Sequence, residues 1–195
     1  MHRLAISLLA AAASYTCGSP VPSRDTSTGC SKASFSNFAW TVETFDFHAS
    51  YVFTTPAHQN SYGFVDFNLT NPALPDLLAS CTAQSSQLSE FFYGNLPYNC
   101  TFNGELGEPG PAPAKFTFSR STGELDINQT WTCDDDDPQY PTTFSASGKA
   151  NLTLDCTDTT WQNANWTLGQ IYSDRVIQCA PVTVDVEPYQ VSAVA

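Results

Sequence analysis

Two carboxylates, Glu43 and Glu124, stand in or beside segments rich in aromatic residues. Small β-rich glycosidases use a pair of carboxylates as acid, base or nucleophile, so these two residues are candidates for that chemistry. Both are also the polar members that alternating strands place on a solvent face, which is the simpler interpretation. The sequence has no Gly-x-Ser-x-Gly, His-Glu-x-x-His or Cys-x-x-Cys motif and no phosphate-binding glycine loop. We therefore expect no catalytic residues and no enzymatic activity.

Histidine and aspartate supply the other groups that could bind a metal. Outside the N-terminal leader the chain has His48 and His58, which we expect as exposed loop residues. Four consecutive carboxylates, Asp134 to Asp137, follow Cys133 and could offer oxygen ligands to calcium. The Asp-x-Asp-x-Asp-Gly spacing of a calcium loop is missing, and adjacent side chains cannot all point at one ion. We predict a solvated turn, no metal site and no cofactor.

Two tryptophans, Trp161 and Trp166, lie in the polar segment 157–169. An exposed indole in such a segment could stack on a sugar or on a partner protein. The same residues could instead cap an open end of the fold. Both interpretations stay open, and we name the two tryptophans as candidate binding residues.

Seven cysteines occur in the chain, and the first lies beside an N-terminal apolar segment. Residues 1–3 form a short basic start, residues 4–13 are mostly apolar, and alanines 11–13 suit a cleavage site, so residues 1–19 are predicted to be a signal peptide and processing region. Whether cleavage removes Cys17 is left open. The remaining even set is typical of a disulfide framework in a secreted, extracellular protein: Cys30, Cys81, Cys100, Cys133, Cys156 and Cys179.

Five sequons could accept N-linked glycans in a secreted protein. We expect two or three of them to be occupied. The weakest is Asn99, because early bridging of the adjacent Cys100 would hide it. The five asparagines are Asn68, Asn99, Asn128, Asn151 and Asn165.

The charge of the chain excludes some partners. It has 19 acidic and 7 basic residues, a net charge of −12 and a pI near 4.2. Nucleic acids and anionic membranes bind through Lys and Arg, so neither is an expected partner. No second apolar stretch is long enough to anchor the chain in a bilayer. After an extended arm at residues 20–30, residues 31–195 suffice for one domain.

The hydrophobic pattern indicates strands. Residues 38–47 alternate with a slip near Glu43 and Thr44, which predicts a β-bulge, and residues 62–70 alternate with Gly63, Val65, Phe67 and Leu69 on the buried face. Segments 115–118 and 124–131 flank a Ser-Thr-Gly turn and predict a hairpin. The fold class is therefore all-β, a compact antiparallel barrel or sandwich stapled by disulfides. Less regular segments suggest strands at 142–147, 151–156 and finally 182–186, a short helix within 76–90, and a surface loop at 103–114.

The order of these features resembles the fungal family of the Alternaria major allergen. The residues that carry the resemblance are Cys30, Trp40-Thr41-Val42 with Phe45, Ser61-Tyr62-Gly63-Phe64, Cys81-Thr82-Ala83-Gln84 with Leu88 and Cys100, the Phe116-Thr117-Phe118 to Gln129 hairpin, and the Pro22-Ser23-Arg24 arm. The resemblance implies a secreted β-barrel that acts as an elicitor or effector at the plant interface, binds host defence proteins, or carries small phenolic ligands.

The resemblance also implies a disulfide pairing. Cys81 would join Cys100 and Cys156 would join Cys179, which leaves Cys30 and Cys133 for each other. In relatives the first cysteine can link two subunits, so an internal partner for it puts a covalent dimer in doubt. Whether the protein is a monomer or a dimer stays open.

We expect a secreted fungal binding protein without catalytic activity, effector-like or elicitor-like, whose partner at a host interface is a host or cell-wall protein or a glycan. One alternative is a small carbohydrate-active protein, either a glycan-binding module or a glycosidase. The other is a carrier of a small apolar or phenolic ligand.

Overall fold

The computed structural model describes residues 29–102 and 112–195. Within these ranges one short helix precedes eleven strands. The elements are α1 (Cys30–Phe35), β1 (Trp40–Thr55), β2 (His58–Thr70), β3 (Leu78–Ser85), β4 (Tyr98–Phe102), β5 (Ala114–Ser119), β6 (Glu124–Cys133), β7 (Thr142–Asn151), β8 (Cys156–Gln162), β9 (Ser173–Cys179), β10 (Val182–Val186) and β11 (Pro188–Val194).

The strands form one antiparallel sheet in the order β11-β7-β6-β5-β4-β3-β2-β1-β9-β8, and β10 also pairs with β1. This confirms the predicted all-β antiparallel class. The described strands do not close into a barrel, because β11 and β8 end the sheet on its two sides. Side chains from both halves of the sheet meet in one core, as they do in a sandwich.

The long first strand shows how the sequence pattern becomes a buried face. The pairing of β1 shifts register between Val42 and Phe45, and Thr44 has a φ of 52°. This is the predicted bulge. It restores the alternation after the slip, so that Val42, Phe45 and Phe47 all point inward and are fully buried.

Aromatic side chains dominate the core. Phe45 stacks on Phe67 at 5.5 Å between ring centroids and meets Phe118 edge-on at 5.0 Å. On the other side of the core, Trp131 stacks on Phe144 at 5.7 Å. Burying one such ring stabilises the fold by about 1.5–3 kcal/mol, and offset or edge-on pairs add about 0.5–1.5 kcal/mol.

A hydrogen-bonded amide lies inside this apolar core. The side-chain oxygen of Gln129 accepts hydrogen bonds from the indole N–H of Trp40 at 2.7 Å and from the amide of Asn71 at 2.9 Å. Its nitrogen donates to the carbonyl of Ala112 at 3.4 Å. All polar atoms of the Gln129 side chain therefore have partners although the residue is buried.

Three bridges staple the fold. Cys30–Cys133 ties α1 to the end of β6, Cys81–Cys100 joins β3 to β4, and Cys156–Cys179 joins β8 to β9. These are the pairs that the family resemblance implies. The predicted signal peptide, Cys17 and most of the predicted arm lie outside the described residues, and Cys30 begins α1.

Several expected elements are confirmed and others are wrong. The hairpin is present as β5 and β6, with Gly123 at a φ of 71° in its turn. The short helix expected within 76–90 is wrong, because Ala79, Cys81 and Ala83 alternate with polar residues and form β3 against β2. Residues 151–156 do not form one strand, since β7 ends at Asn151 and β8 begins at Cys156.

The strand predicted at 182–186 is present as β10, but it is not the last, because β11 follows it and pairs with β7. The expected surface loop at 103–114 lies outside the described residues up to position 111, and β5 already begins at Ala114. Nowhere in the described ranges is there a helix long and apolar enough to span a bilayer.

Candidate functional site

The hairpin formed by β8 and β9 differs from the rest of the sheet because β8 is exposed along its whole length. The two strands pair from Cys156 opposite Cys179 to Gln162 opposite Ser173. The disulfide therefore closes the hairpin at one end, and residues 163–172 connect the strands at the other. β9 lies between β1 and β8, so β8 is the edge strand on this side of the sheet.

The connecting loop is ordered by its own side chains. The indole N–H of Trp166 donates to the carbonyl of Gln170 at 2.9 Å, and the ring packs edge-on against Tyr172 at 5.9 Å. The side chain of Gln162 donates to the Tyr172 hydroxyl at 2.7 Å. Trp166 is half-buried and holds the loop, so of the two candidate binding tryptophans it has the structural role.

The hairpin presents apolar side chains to solvent. Trp161 is 56% exposed and Leu168 is 86% exposed, and both lie outside the packed core. Ile171 and Val176 are 45% and 38% exposed. Exposed apolar side chains grouped on one element mark interaction surfaces more often than scattered ones do. Trp161 is therefore a candidate contact residue, as the sequence suggested.

Arg175 connects the hairpin to the body of the fold. Its Nε donates to both oxygens of the Asp158 carboxylate at 3.0 Å, and a terminal nitrogen contacts the same carboxylate. These hydrogen bonds lower the pKa of Asp158 and raise the pKa of Arg175. The guanidinium also lies 5.2 Å from the ring centroid of Tyr51 on β1, a cation–π geometry.

A surface cavity of about 490 Å³ lies between the hairpin and the body. Its walls combine two guanidinium groups with aromatic and polar side chains. The cavity is lined by Tyr51, Phe53, Gln59, Leu88, Ser89, Glu90, Arg120 and Arg175.

One wall of the cavity has strained backbone. Ser89, which lines the cavity, has a φ angle of 77°, and Phe91 just beyond the wall has one of 63°, a region that non-glycine residues seldom adopt. The Ser89 carbonyl accepts hydrogen bonds from the Tyr51 hydroxyl at 2.7 Å and from Arg120 at 3.2 Å, which hold the strained turn in place. Strained residues supported in this way are common in binding sites.

Sequence reasoning missed this cavity because its residues are far apart in the chain. One signal was present: beyond residue 30 the sequence contains two arginines, Arg120 and Arg175, and both line the cavity.

The two candidate carboxylates are not brought together at a cavity described here. The carboxylate of Glu124 binds Lys149 at 2.9 Å and raises the pKa of that lysine. Glu43 lies on β1 opposite Asn68 of β2. Neither residue lines the cavity beside the hairpin.

The histidines were wrongly expected in loops. His48 lies within β1, where its Nδ1 is 3.1 Å from the Asp46 carboxylate and its ring stacks on Phe64. His58 is the first residue of β2, and its Nδ1 is 2.9 Å from the Thr54 hydroxyl.

The aspartate run forms a turn, and one member has a structural contact. Asp135 accepts hydrogen bonds from the hydroxyl of Ser31 at 2.6 Å and from the backbone N–H of the same residue at 3.0 Å, which lower the pKa of Asp135. Asp137 accepts from the backbone of Gln139 within the turn. Asp135 thus satisfies an N–H in the first turn of α1.

The sequons differ in exposure. Asn99, Asn151 and Asn165 are exposed, and Asn165 lies in the loop between β8 and β9. Asn68 and Asn128 are half-buried, and the Asn128 side-chain oxygen accepts a hydrogen bond from Ser147 at 2.6 Å. Glycan occupancy stays a prediction for all of them.

Comparison with known proteins gives one family. The family model of Alternaria alternata allergen 1 matches residues 42–179, which is more than half of the chain. The match extends from the first core strand to the second cysteine of the hairpin bridge. No match was found among curated proteins or among solved structures. The chain belongs to the Alternaria alternata allergen 1 family.

Proposed function

We propose that this allergen-family protein is a secreted, effector-like or elicitor-like binding protein without catalytic activity, and that the β8–β9 hairpin is its contact surface in the extracellular space of a host. The observation that carries the proposal is the group of exposed apolar side chains, Trp161, Leu168, Ile171 and Val176, on one stapled hairpin. Family membership, the leader-like N-terminus and the disulfides support it.

The hairpin is suited to binding because it is ordered before a partner arrives. The Cys156–Cys179 bridge, the Arg175–Asp158 pair and the Trp166 packing restrict it in the free protein. Ordering a segment during association costs about 0.5–1.5 kcal/mol for each immobilised side chain, so an ordered hairpin retains more of its contact energy as affinity.

The test uses the secreted chain immobilised and exposed to extracellular fluid from a host plant. Bound proteins are quantified by mass spectrometry for wild type, for Trp161→Ala with Leu168→Ser, and for the control Tyr140→Ala. Tyr140 is 64% exposed but lies in the turn before β7, away from the hairpin strands. We expect a protein retained by wild type and control and reduced about tenfold or more with the hairpin variant.

Equal retention by all three chains would contradict the hairpin assignment. Retention of a polysaccharide in place of a protein, with the same dependence on Trp161, would make the protein a glycan-binding module. Secretion is tested separately by finding the processed chain in the medium of the producing fungus.

The cavity favours a second candidate function, carrying a small phenolic ligand, because its walls combine aromatic rings with guanidinium and other polar groups. Its volume of about 490 Å³ falls within the range of about 300–1,000 Å³ that is typical of ligand pockets. Native mass spectrometry of the secreted protein would show a bound small molecule. Leu88→Trp, which fills the cavity from its wall, should abolish that extra mass, and an unchanged mass would place the ligand elsewhere.

A further inference from the structure

Strand β8 has an outer edge against which none of the residues that the structure describes is paired. β9 covers the other edge, and the β8–β9 register runs without a shift along the whole of β8. A strand at the edge of a sheet presents backbone N–H and C=O groups that have no partner in the sheet. The phase of the β8–β9 ladder decides which residues of β8 present these groups.

Two backbone hydrogen bonds fix that phase. The N–H of Ala180 donates to the carbonyl of Asp155 at 2.8 Å. The N–H of Asn163 donates to the carbonyl of Tyr172, also at 2.8 Å. Hydrogen-bonded and non-hydrogen-bonded pairs alternate in an antiparallel ladder, so the odd-numbered residues of β8 direct their backbone groups towards β9. The even-numbered residues, which direct theirs to the outer edge, include Asp158, Thr160 and Gln162.

The outer edge of β8 lacks the features that usually block strand pairing. Natural edge strands are protected by proline, by charged side chains, above all lysine, or by bulges. β8 contains no proline, no lysine and no register shift. Its one charged side chain, Asp158, is paired with Arg175. At the other end of the sheet, by contrast, β11 begins with Pro188 and shifts register before Gln190. Of these two strands, β8 is the one suited to accept a further strand.

The side chains beside the outer edge and the charge of the chain indicate which strand would fit. Trp161 and Thr159 lie on the same face of β8 and would flank alternate side chains of an added strand. Trp161 is 56% exposed, so an apolar side chain placed beside it would be favoured. The net charge of −12 repels a second copy of the chain and acidic segments in general.

We propose that β8 binds an extended segment of another protein, one without net negative charge, by adding it to the sheet as a further strand. About five residues of the partner would pair with the stretch from Asp158 to Gln162. In this mode of recognition backbone hydrogen bonds supply affinity, and the side chain beside Trp161 supplies selectivity. The inference rests on the proposed binding function and names its mode. The stapled hairpin favours it, because β8 is already extended in the free protein.

The test uses a synthetic peptide as the probe and the isotope-labelled secreted chain. The peptide has blocked ends, alternates threonine and valine, and carries one lysine at each end. A control peptide has the same sequence with every inner amide N-methylated, so it cannot donate the hydrogen bonds of a strand. Titration followed by NMR gives the dissociation constant and the shift of each β8 amide proton.

The expected result is an alternating pattern along β8. The amide protons of Asp158, Thr160 and Gln162 should move downfield when the peptide binds, because they gain hydrogen bonds. The amide protons of the odd-numbered residues 157–161 already bond to β9 and should move much less. The N-methylated peptide should not bind.

Two substitutions at one position test the backbone contact. Thr160→Pro removes an N–H from the outer edge and leaves the hydrogen bonds to β9 in place. It should weaken peptide binding by about tenfold or more, whereas Thr160→Val, which keeps the N–H, should weaken it by less than about threefold. The NMR spectrum of each variant also confirms that the β8–β9 ladder is intact.

Several results would overturn the inference. Shifts at the Trp161 indole and at Val176 without the alternating pattern would show that the peptide docks on the face of the hairpin. Binding of the N-methylated peptide, or no binding of the probe by wild type at about 1 mM, would exclude strand addition. A wild-type dimer in sedimentation that is lost with Thr160→Pro would assign the edge to a second copy of the chain.

Failure of this inference can be distinguished from failure of the proposed function. In the plant-fluid experiment, a protein lost with the Trp161 and Leu168 variant but retained by Thr160→Pro would support the apolar contact surface and overturn strand addition. A protein lost with Thr160→Pro but retained by the Trp161 and Leu168 variant would support strand addition and contradict the apolar contact surface.

Discussion

Strands β6 and β8 differ in what holds them in place. β6 lies between β5 and β7, alternates buried and half-buried residues along most of its length, and sends Leu125, Ile127 and Trp131 into the core. β8 is an edge strand with every residue exposed. A disulfide, an arginine–carboxylate pair and local packing hold it instead. We infer that burial stabilises the body, while covalent and polar contacts order the hairpin so that its apolar side chains remain free to bind.

The largest single loss of stability is expected from removing a disulfide. In the chain-entropy model, removing the Cys30–Cys133 bridge with Cys30→Ser/Cys133→Ser should lower the free energy of unfolding by about 4–5 kcal/mol, because that bridge closes the longest loop. Cys156→Ser/Cys179→Ser removes the bridge that closes a much shorter loop within the hairpin and should cost about 3–3.5 kcal/mol. Urea unfolding followed by tryptophan fluorescence measures both. A larger loss from the hairpin pair would show that the hairpin supports the body.

A matched pair of tryptophan substitutions separates the two regions further. Trp40→Ala removes a fully buried side chain and should destabilise the protein by about 3–5 kcal/mol. Trp161→Ala removes an exposed one and should change stability by less than about 0.5 kcal/mol. Thermal and urea unfolding of both variants test this. A cost above about 1 kcal/mol for Trp161→Ala would assign Trp161 to packing and not to a partner.

Replacing a hydrogen-bonded polar side chain should also cost more stability in the body than in the hairpin. Gln129→Leu leaves the Trp40 indole N–H and the Asn71 amide without their buried acceptor, which should cost about 2–3 kcal/mol. Gln162→Leu breaks an exposed hydrogen bond to Tyr172 and should cost less than about 0.5 kcal/mol. Equilibrium unfolding measures both free energies. Similar losses would mean that water accepts the hydrogen bonds of Trp40 and Asn71 in the Gln129→Leu variant.

The smallest change in the free energy of unfolding is expected from replacing a carboxylate, and it depends on pH. Burial, with Asp46 nearby, raises the pKa of Asp66, although His48 opposes the shift. A raised pKa in the folded state means that ionised Asp66 destabilises the fold. Asp66→Asn should therefore stabilise the protein by up to about 1 kcal/mol at pH 7, and the gain should vanish below about pH 4.

Asp158 should behave in the opposite way. Its pKa is lowered in the folded state by hydrogen bonds from Arg175. Its stabilising contribution is therefore present above the pKa of the unfolded state and is lost as the pH falls through the pKa of the folded state. Asp158→Asn should destabilise the protein at neutral pH and have no effect in strong acid. Unfolding curves from pH 2 to 8 compare the two variants, and a stabilising effect of Asp158→Asn at pH 7 would contradict the account.

Much of the body could be predicted from the sequence, because a strand with one buried face alternates apolar and polar residues. The β1 bulge, the inward face of β2 and the β5–β6 hairpin all follow from that pattern. The hairpin strands and β11 left no such signal, since β8 and most of β11 have both faces exposed. β3 was not recognised as a strand because its buried residues are small: two alanines, a cysteine and a serine, among polar neighbours.

The candidate site was predicted less completely. Trp161 could be identified from an indole in a polar segment, but the cavity joins Tyr51, Ser89, Arg120 and Arg175 from distant parts of the chain. Their proximity depends on the pairing of β1 with β9 and on the strained turn at Ser89, and neither leaves a local pattern in the sequence.

Native-state hydrogen exchange on the disulfide-intact chain tests the central contrast most directly. We predict that amides of β6 exchange only through global unfolding, while the paired amides of β8 and β9 exchange through local opening with a free energy lower by about 2 kcal/mol or more. The difference should persist with the Cys156–Cys179 bridge intact. Equal exchange free energies in β6 and in the hairpin would show one cooperative unit and would contradict the account.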